Sequence, residues 1–560
     1  MKGKQCIALL LAVLMLCALA ACGGDGSSSG TGSSPAQSTG NTSGIGSAQQ
    51  EGGEGSAPAY VNQTGLPIVN EPTTVTMLVQ KSILDLGSSW QEKECVKRAQ
   101  EETGLTLEFT EISQAAWAEQ MGVTLASGEL PDVIVGTFPN FGKYLDSFMP
   151  LNSLIDTYAP ALTAFYEERP ELKVACVMED GNIYSMPLLQ DQGQYAYAHR
   201  YVINKTWLDN VKMDIPTTQD QLFDVMMAFK EQDANGNGDP NDELPFSMEA
   251  NTAVALDNDS YGINFLMNSC GVHSANYVQV DDDVVSFSPT REEYRDFINF
   301  AHKLYSNGLI DVDGFVQQTS DFFAKGAAGR IGIYGHHSYA DIVCGADKVD
   351  QYVPILPMQD KNGNIVTVGR AVSGDWNYDC YKISNTCEHP EAAVRLYDYV
   401  IGDPEVNNLW SYGTEGGSYT INEDGEKVRK IEFEDEGMNS FAQARHTFGA
   451  GMNGFWIVPQ ETYDSWYKDK RELLMVEFEE MYKPYLCTPM PLGIDKQEVV
   501  ERRNDQFAEI NTYIQNFTVE SIMNGLDDAG WEKHLQSCER LNVAQYVEDY
   551  QNFYNDKKIA

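Results

Sequence analysis

The sequence predicts an α/β fold built from more than one domain. Three observations carry that expectation. Short apolar strands alternate with amphipathic helices, with no repeat of 20–50 residues. About 500 residues follow a low-complexity N-terminal stretch, and single cores stop growing near ~250–300 residues. The composition, 42% hydrophobic and 11% aromatic, is rich enough to fill such cores. In order, strands are expected at 73–78 and 104–110, with helices at 90–103 and 117–126. A turn at Ser127-Gly128-Glu129 leads to the buried-strand pattern Pro131-Asp132-Val133-Ile134-Val135. Further helices are expected at 219–231, 291–306, 390–401, 468–481, 496–517, 519–524, 531–541 and 543–554, and a strand at 330–333.

The N-terminus reads as an export and anchoring signal. Met1, Lys2 and Lys4 precede a 13-residue apolar run, 7–19, too short to span a bilayer. It ends in Leu19-Ala20-Ala21-Cys22, which resembles the lipobox of bacterial lipoproteins. That resemblance implies cleavage before Cys22, acylation of its thiol and a place on the outer face of the cell membrane. Residues 23–58 are almost all Gly, Ser, Thr, Ala and Gln, which bury no core and form a flexible tether. No later run reaches the ~18 apolar residues of a membrane-spanning helix, so the lipid is the expected membrane attachment.

The net charge is -44, and losing residues 1–21 removes Lys2, Lys4 and no acid, bringing it to -46. Such a chain repels nucleic acid and anionic lipid. Eight cysteines remain after the signal and Cys22: Cys95, Cys176, Cys270, Cys344, Cys380, Cys387, Cys487 and Cys538. None forms a CxxC, and their spacing fits both disulfides and free thiols.

Several segments, in order, resemble the extracellular solute-binding proteins of bacterial ABC importers for carbohydrate, in their large lipoprotein branch. They are Leu125-Ala126-Ser127-Gly128-Glu129-Leu130-Pro131-Asp132, Asp180-Gly181-Asn182-Ile183-Tyr184-Ser185-Met186-Pro187 and Ile203-Asn204-Lys205-Thr206-Trp207-Leu208. Ile215-Pro216-Thr217-Thr218, His389-Pro390-Glu391-Ala392-Ala393 and Tyr412-Gly413-Thr414-Glu415-Gly416 follow. The resemblance implies a two-lobed, periplasmic-binding-protein-like fold (type II) with a hinge and a ligand cleft between lobes. It places one lobe at 66–196 plus 372–410 and the other at 197–371, with 411–560 packed across both and 22–65 as the acylated tether. It implies capture of an oligosaccharide or related solute by a monomer, delivery to ABC permease subunits, and no enzyme activity.

The segment Asp233-Ala234-Asn235-Gly236-Asn237-Gly238-Asp239-Pro240-Asn241-Asp242-Glu243 carries hard oxygen donors in the spacing of a calcium loop. Position 12, where an EF-hand has glutamate, is Leu244, so Asp242 or Glu243 must close the site. Asp233, Asn235, Asn237, Asp239, Asp242 and Glu243 are the expected ligands of a structural calcium.

Sugars need flat apolar faces flanked by in-plane polar groups. The candidates are Asp132, Trp376, Trp410, Glu415, Tyr419 and Trp456, with Tyr334, His336 and His337 after the 330–333 strand. Core packing is the competing role for each aromatic, and backbone capping for Asp132. Trp207, Trp466 and Trp531 read as core. The rival functions are a secreted glycan hydrolase and a surface adhesin. No G-x-S-x-G, H-E-x-x-H, P-loop or G-x-G-x-x-G pattern supports catalysis.

Overall fold

A computed structural model of the chain describes residues 58–558, except 88, 138–140, 191–199, 240, 250–261, 337–339, 346, 368–374, 431, 434–436 and 439, and except the side chains of 375, 376, 470 and 471. The proposed signal, Cys22 and most of the tether therefore lie outside the described residues. Residues 57–560 form one compact unit, organised on two sheets.

The first sheet has the order β14-β4-β11-β3-β1-β2. Its strands are β1 (Thr73–Lys81), β2 (Leu105–Ser113), β3 (Val133–Val135), β4 (Met186–Gln190), β11 (Asp375–Ile383) and β14 (Ile457–Val458). β1 pairs in parallel with β2 and β3, with Met77 opposite Phe109 and Val133. β14 is parallel to β4, and β11 alone runs against its neighbours β3 and β4. β3 and β4 are buried along their whole length, as expected of strands covered by helices on both faces.

The second sheet has the order β10-β5-β9-β6: β5 (Tyr201–Asn204), β6 (Leu244–Phe246), β9 (Ile331–Gly335) and β10 (Tyr352–Pro354). Here β5 runs against β9 and β10, and β6 is parallel to β9. Two hairpins, β7 (Val278–Asp281) with β8 (Val284–Phe287) and β12 (Tyr419–Ile421) with β13 (Lys427–Arg429), complete the strands described.

Each sheet has its own core. The first is centred on Trp90, Trp410, Phe455 and Trp456, and the second on Tyr201, Trp207, Phe229, Tyr277 and Tyr294. Burying each such side chain contributes roughly 1.5–3 kcal/mol. Residues 58–70 are fastened to the first core. Asn62 N donates to Ile68 O at 2.7 Å, Tyr60 OH to Glu391 at 2.6 Å and Arg395 to Gly65 O at 2.8 Å. The C-terminal portion divides its allegiance: Tyr412, Ala450, Phe455 and Trp466 belong to the first core, while the helices Lys470–Tyr482, Gln497–Asn524 and Val543–Lys557 pack on the second lobe.

Two helices differ from expectation. The 90–103 segment is broken: a short turn Trp90–Glu92 and the helix Glu94–Thr103 flank Lys93, whose ψ of 142° is extended. This turn aims the Lys93 ammonium inward, 3.0 Å from Asp85 and 2.6 Å from His446 O. Conversely, 496–517 and 519–524 are one helix, Gln497–Asn524. Thr518 does not interrupt it, because its hydroxyl bonds Ile514 O at 2.7 Å and meets Tyr294 OH.

Candidate functional site

Strand direction locates the site. In the first sheet β1, β2, β3, β4 and β14 end on one edge, at Lys81, Ser113, Val135, Gln190 and Val458, where β11 begins at Asp375. In the second, β6, β9 and β10 end together at Phe246, Gly335 and Pro354, where β5 begins at Tyr201. The chain passes between sheets from β4 to β5, from β10 back to β11, and from β14 to the Lys470–Tyr482 helix. These connections run between the two carboxyl edges. Ligands of open α/β sheets bind in the crevice outside carboxyl ends, so this crevice is the candidate site. Segments 138–140, 191–199, 250–261, 337–339 and 368–374, which leave from these edges, are outside the described residues.

The described rim is polar and well braced. On the first lobe, Gln80 accepts from Asn453 Nδ2 at 2.7 Å, and Trp117 Nε1 donates to Thr137 O at 2.5 Å. Gln190 is buried, and its Oε1 has no partner among the described residues. Behind this rim Lys382 is fully buried, donating to Gly136 O at 2.8 Å, and burial lowers its pKa. On the second lobe, Glu249 is buried and accepts from Thr319 Oγ1 at 2.6 Å. Gln317 donates to Met248 O, and Ser247 to Asp311 at 2.7 Å. Arg200 is buried beside Met475, and the His336 ring packs edge-on to Phe323 at 5.7 Å.

The sequence-chosen residues do not converge on this rim. Asp132 precedes β3 on the opposite, amino edge. Its carboxylate accepts from Thr76 N at 2.8 Å and Thr76 Oγ1 at 2.7 Å, fastening β1 to β3. Trp410 and Trp456 are fully buried and offer no face to solvent. Trp410 packs on Phe455 at 4.7 Å, and Trp456 Nε1 bonds Gly451 O at 2.8 Å. Glu415 is exposed, and Tyr419, half-buried in the β12–β13 hairpin, packs on Trp466 at 5.4 Å. Trp376 pairs through its backbone with Leu189 at the carboxyl edge; its side chain lies outside the described residues, as does His337. Tyr334 is buried, with its hydroxyl on Ala340 O at 3.0 Å. Trp207, Trp466 and Trp531 are all buried. Gln80, Gln190, Arg200 and Glu249 were not among the sequence candidates, although their place in or next to the strand termini was the available signal.

The acidic loop curls on itself. Asn235 and Asn237 donate side-chain amides to the two Asp242 oxygens, each at 3.0 Å, and Gly238 N donates to Asp233 Oδ2 at 2.9 Å. Asp239 N bonds Asn237 Oδ1 at 2.7 Å. Two carboxylate oxygens, Asp233 Oδ1 and Glu243 Oε2, are buried with no hydrogen-bond partner among the described residues. Burial raises the Glu243 pKa, against the pull of its backbone hydrogen bonds. Among the described residues no three His, Cys, Asp or Glu side chains form a ready metal cluster. The two orphaned oxygens nevertheless fit a hard cation, which would displace the asparagine amide donors from Asp242.

All eight described cysteines are free thiols, seven of them buried. No described helix is long and apolar enough to cross a membrane.

Residues 82–406 match the family model of the bacterial extracellular solute-binding proteins. The chain is similar to the fructooligosaccharide ABC transporter substrate-binding protein FusA of Streptococcus pneumoniae serotype 4, at 26% identity over 83% of this chain and 87% of that protein. In structure it resembles an extracellular solute-binding protein from Bifidobacterium longum subsp. infantis (TM-score 0.74, 22% identity, covering 87% of this chain and 99% of the other). It also resembles an EF-hand mutant of FusA in complex with fructo-nystose (TM-score 0.69, 23% identity, 86% and 99% covered). The fold in both cases is the two-lobed one expected from the sequence, and the chain belongs to the bacterial extracellular solute-binding proteins.

Proposed function

We propose that the protein is the lipid-anchored receptor of an ABC importer, capturing an oligosaccharide between its lobes and presenting it to a membrane permease. The joined carboxyl edges, with polar side chains fixed on both sides, carry this reading. Gln80 and Gln190 on one side and Arg200 and Glu249 on the other supply hydrogen-bonding groups suited to sugar hydroxyls. Trp376, at that edge by register, is the proposed stacking residue. Asp132, Trp410 and Trp456 act behind it as frame, and Glu415 and Tyr419 belong to the outer hairpin. Binding favours the closed form only if the ligand meets both rims, which requires tighter binding to closed than to open protein. Cys22 is the proposed acylation site, and the 23–58 tether leaves a monomeric receptor free to turn.

We assign calcium to the 233–243 loop, held by Asp233, Asn235, Asn237, Asp239, Asp242 and Glu243. A bound ion would neutralise the carboxylates of Asp233 and Glu243, each of which has one buried oxygen with no hydrogen-bond partner among the described residues.

The test is a thermal-shift panel of fructooligosaccharides, other glycans and peptides, with small-angle scattering on each hit. Stabilisation by a glycan together with compaction is expected. A peptide-only response, or glycan turnover, would transfer the protein to another class.

A further inference from the structure

The Gln497–Asn524 helix and the following helix, Asp528–Arg540, flank a cavity of about 400 Å³. That volume lies within the ~300–1,000 Å³ of small-ligand clefts. Two rows of side chains run along the longer helix. Tyr513 and Phe517, four residues apart, form an aromatic row, and Asn516 and Glu520 form a polar row beside it. Lys533 and His534 line the cavity from the shorter helix. None of these residues lies at the strand edges that frame the crevice.

The aromatic row is already fixed. The Phe517 ring stacks on His534 with centroids 3.8 Å apart and planes 8° apart. Tyr513 is nearly parallel to both, at 9° to His534 and 14° to Phe517. His534 is buried, and its Nε2 lies 2.8 Å from Pro289 O, so that nitrogen carries the proton. Burial pushes the ring down to about 4, so it is neutral, and its Nδ1 accepts from the Tyr513 hydroxyl at 3.1 Å. Trp531 stacks on His534 at 5.0 Å. Tyr513 and Phe517 are nevertheless only half-buried. The polar groups, by contrast, are uncommitted. The side chains of Asn516, Glu520 and Lys533 are exposed and make no hydrogen bond or ion pair among the described residues.

Half-buried rings flanked by free donors and acceptors match the two sides of a sugar: its C–H groups lie against the rings, and its hydroxyls reach the polar groups. Glu520 accepts, Lys533 donates and Asn516 does both. Rings already held in place lose little freedom on binding. Glu520 and Lys533 balance each other in charge, and a chain of net charge -44 repels an anionic glycan. We infer that this cavity is a second carbohydrate site, taking a short segment of a neutral glycan, with Tyr513 and Phe517 as its platform and Asn516, Glu520 and Lys533 as hydroxyl partners. The site goes beyond the capture proposed for the crevice. Ile510, Ile514 and Cys538 seat both helices in the second core, so binding here requires no closure of the lobes.

The experiment follows amide exchange of the folded mature protein with saturating maltose, cellobiose or sucrose, and with glucuronate as the anionic control. Saturation-transfer NMR supplies the apparent Kd of each probe. Slower exchange across 513–537 with at least one neutral probe is expected, with less protection from glucuronate. Asn516→Ala combined with Glu520→Ala, both at exposed positions, should weaken that response about tenfold or more. The same pair should leave any ligand-induced compaction in scattering unchanged. Phe517→Ala should abolish the response, and if that variant fails to fold, the exposed pair decides. Three results would each overturn the proposal: unchanged exchange across 513–537 with all the neutral probes, strongest protection from glucuronate, or protection that survives the exposed pair.

Discussion

Single side chains in this protein carry burdens that composition hides. Lys93 is the clearest case: its ammonium, buried with Asp85, also holds the carbonyls of His446 and Thr447. Lys93→Met would strand the Asp85 carboxylate and cost about 3–5 kcal/mol in a urea titration, whereas Lys93→Met with Asp85→Leu should recover most of the loss. Equal losses in the two variants would refute this account. The histidines set an acid limit. Burial, with the charges of Arg445 and Lys93, pushes His446 down to about 3, and burial pushes His534 down to about 4. Both rings are neutral in the fold, while the unfolded chain takes up protons below about 6.5. Stability should therefore fall as pH drops from about 6.5 toward 4, by ~1.4 kcal/mol per pH unit for each ring. His273 has the opposite sign: its contribution is full below about 6.5 and is lost as pH rises through about 9. His446→Gln and His534→Gln should flatten the acid slope, and an unchanged slope would refute the assignment. None of this was legible in the sequence, because the burial behind each effect comes from packing between segments far apart in the chain, as where Lys93 meets His446 O and His534 meets Pro289 O.

At the level of elements, the sequence read well wherever one face or one run decided the outcome. The Gln219–Glu231 helix begins on Thr218, whose side chain caps Gln221 N, and its buried Leu222, Val225, Met226 and Phe229 keep helical spacing. β3 appeared as an uninterrupted apolar run. The misreadings have local causes. Lys93 breaks a helical pattern to reach Asp85 and the distant carbonyls of His446 and Thr447, and Thr518 is tolerated in a helix because its hydroxyl has a carbonyl one turn back. The aromatic residues misled for another reason: a Trp next to glycines reads alike whether it faces a crevice or, like Trp456, fills a core. The 233–243 loop gives the sharpest prediction at this scale. Removing calcium with a chelator should lower the melting temperature, and Asp233→Asn or Glu243→Gln should lower it in calcium but change little in chelator. A melting temperature indifferent to chelation would leave the loop as a hydrogen-bonded turn.

For the molecule as a whole, order along the chain was more informative than any one motif, since it was the succession of the segments that pointed to the family and its fold class. What the sequence did not show is how the third connection is fixed. Arg429 of β13 pairs with Glu472 at the start of the Lys470–Tyr482 helix, and its guanidinium lies over Phe441, Tyr463 and Trp466 at 5.3–5.7 Å. Arg429→Gln should speed amide exchange in the 466–480 region and broaden the ligand-free scattering profile, at a cost of about 3 kcal/mol or more. Unaltered exchange would show that the packed rings suffice. The fastening of residues 58–70 has a mechanical corollary. Any leash drawn from the N-terminus pulls on the first lobe alone, through Val61 and Ile68 in its core. If the proposed acylation of Cys22 moors the chain to a bilayer, the first lobe is the one held. A tug there would reach the second lobe, which bears the acidic loop, only through the connections between the sheets.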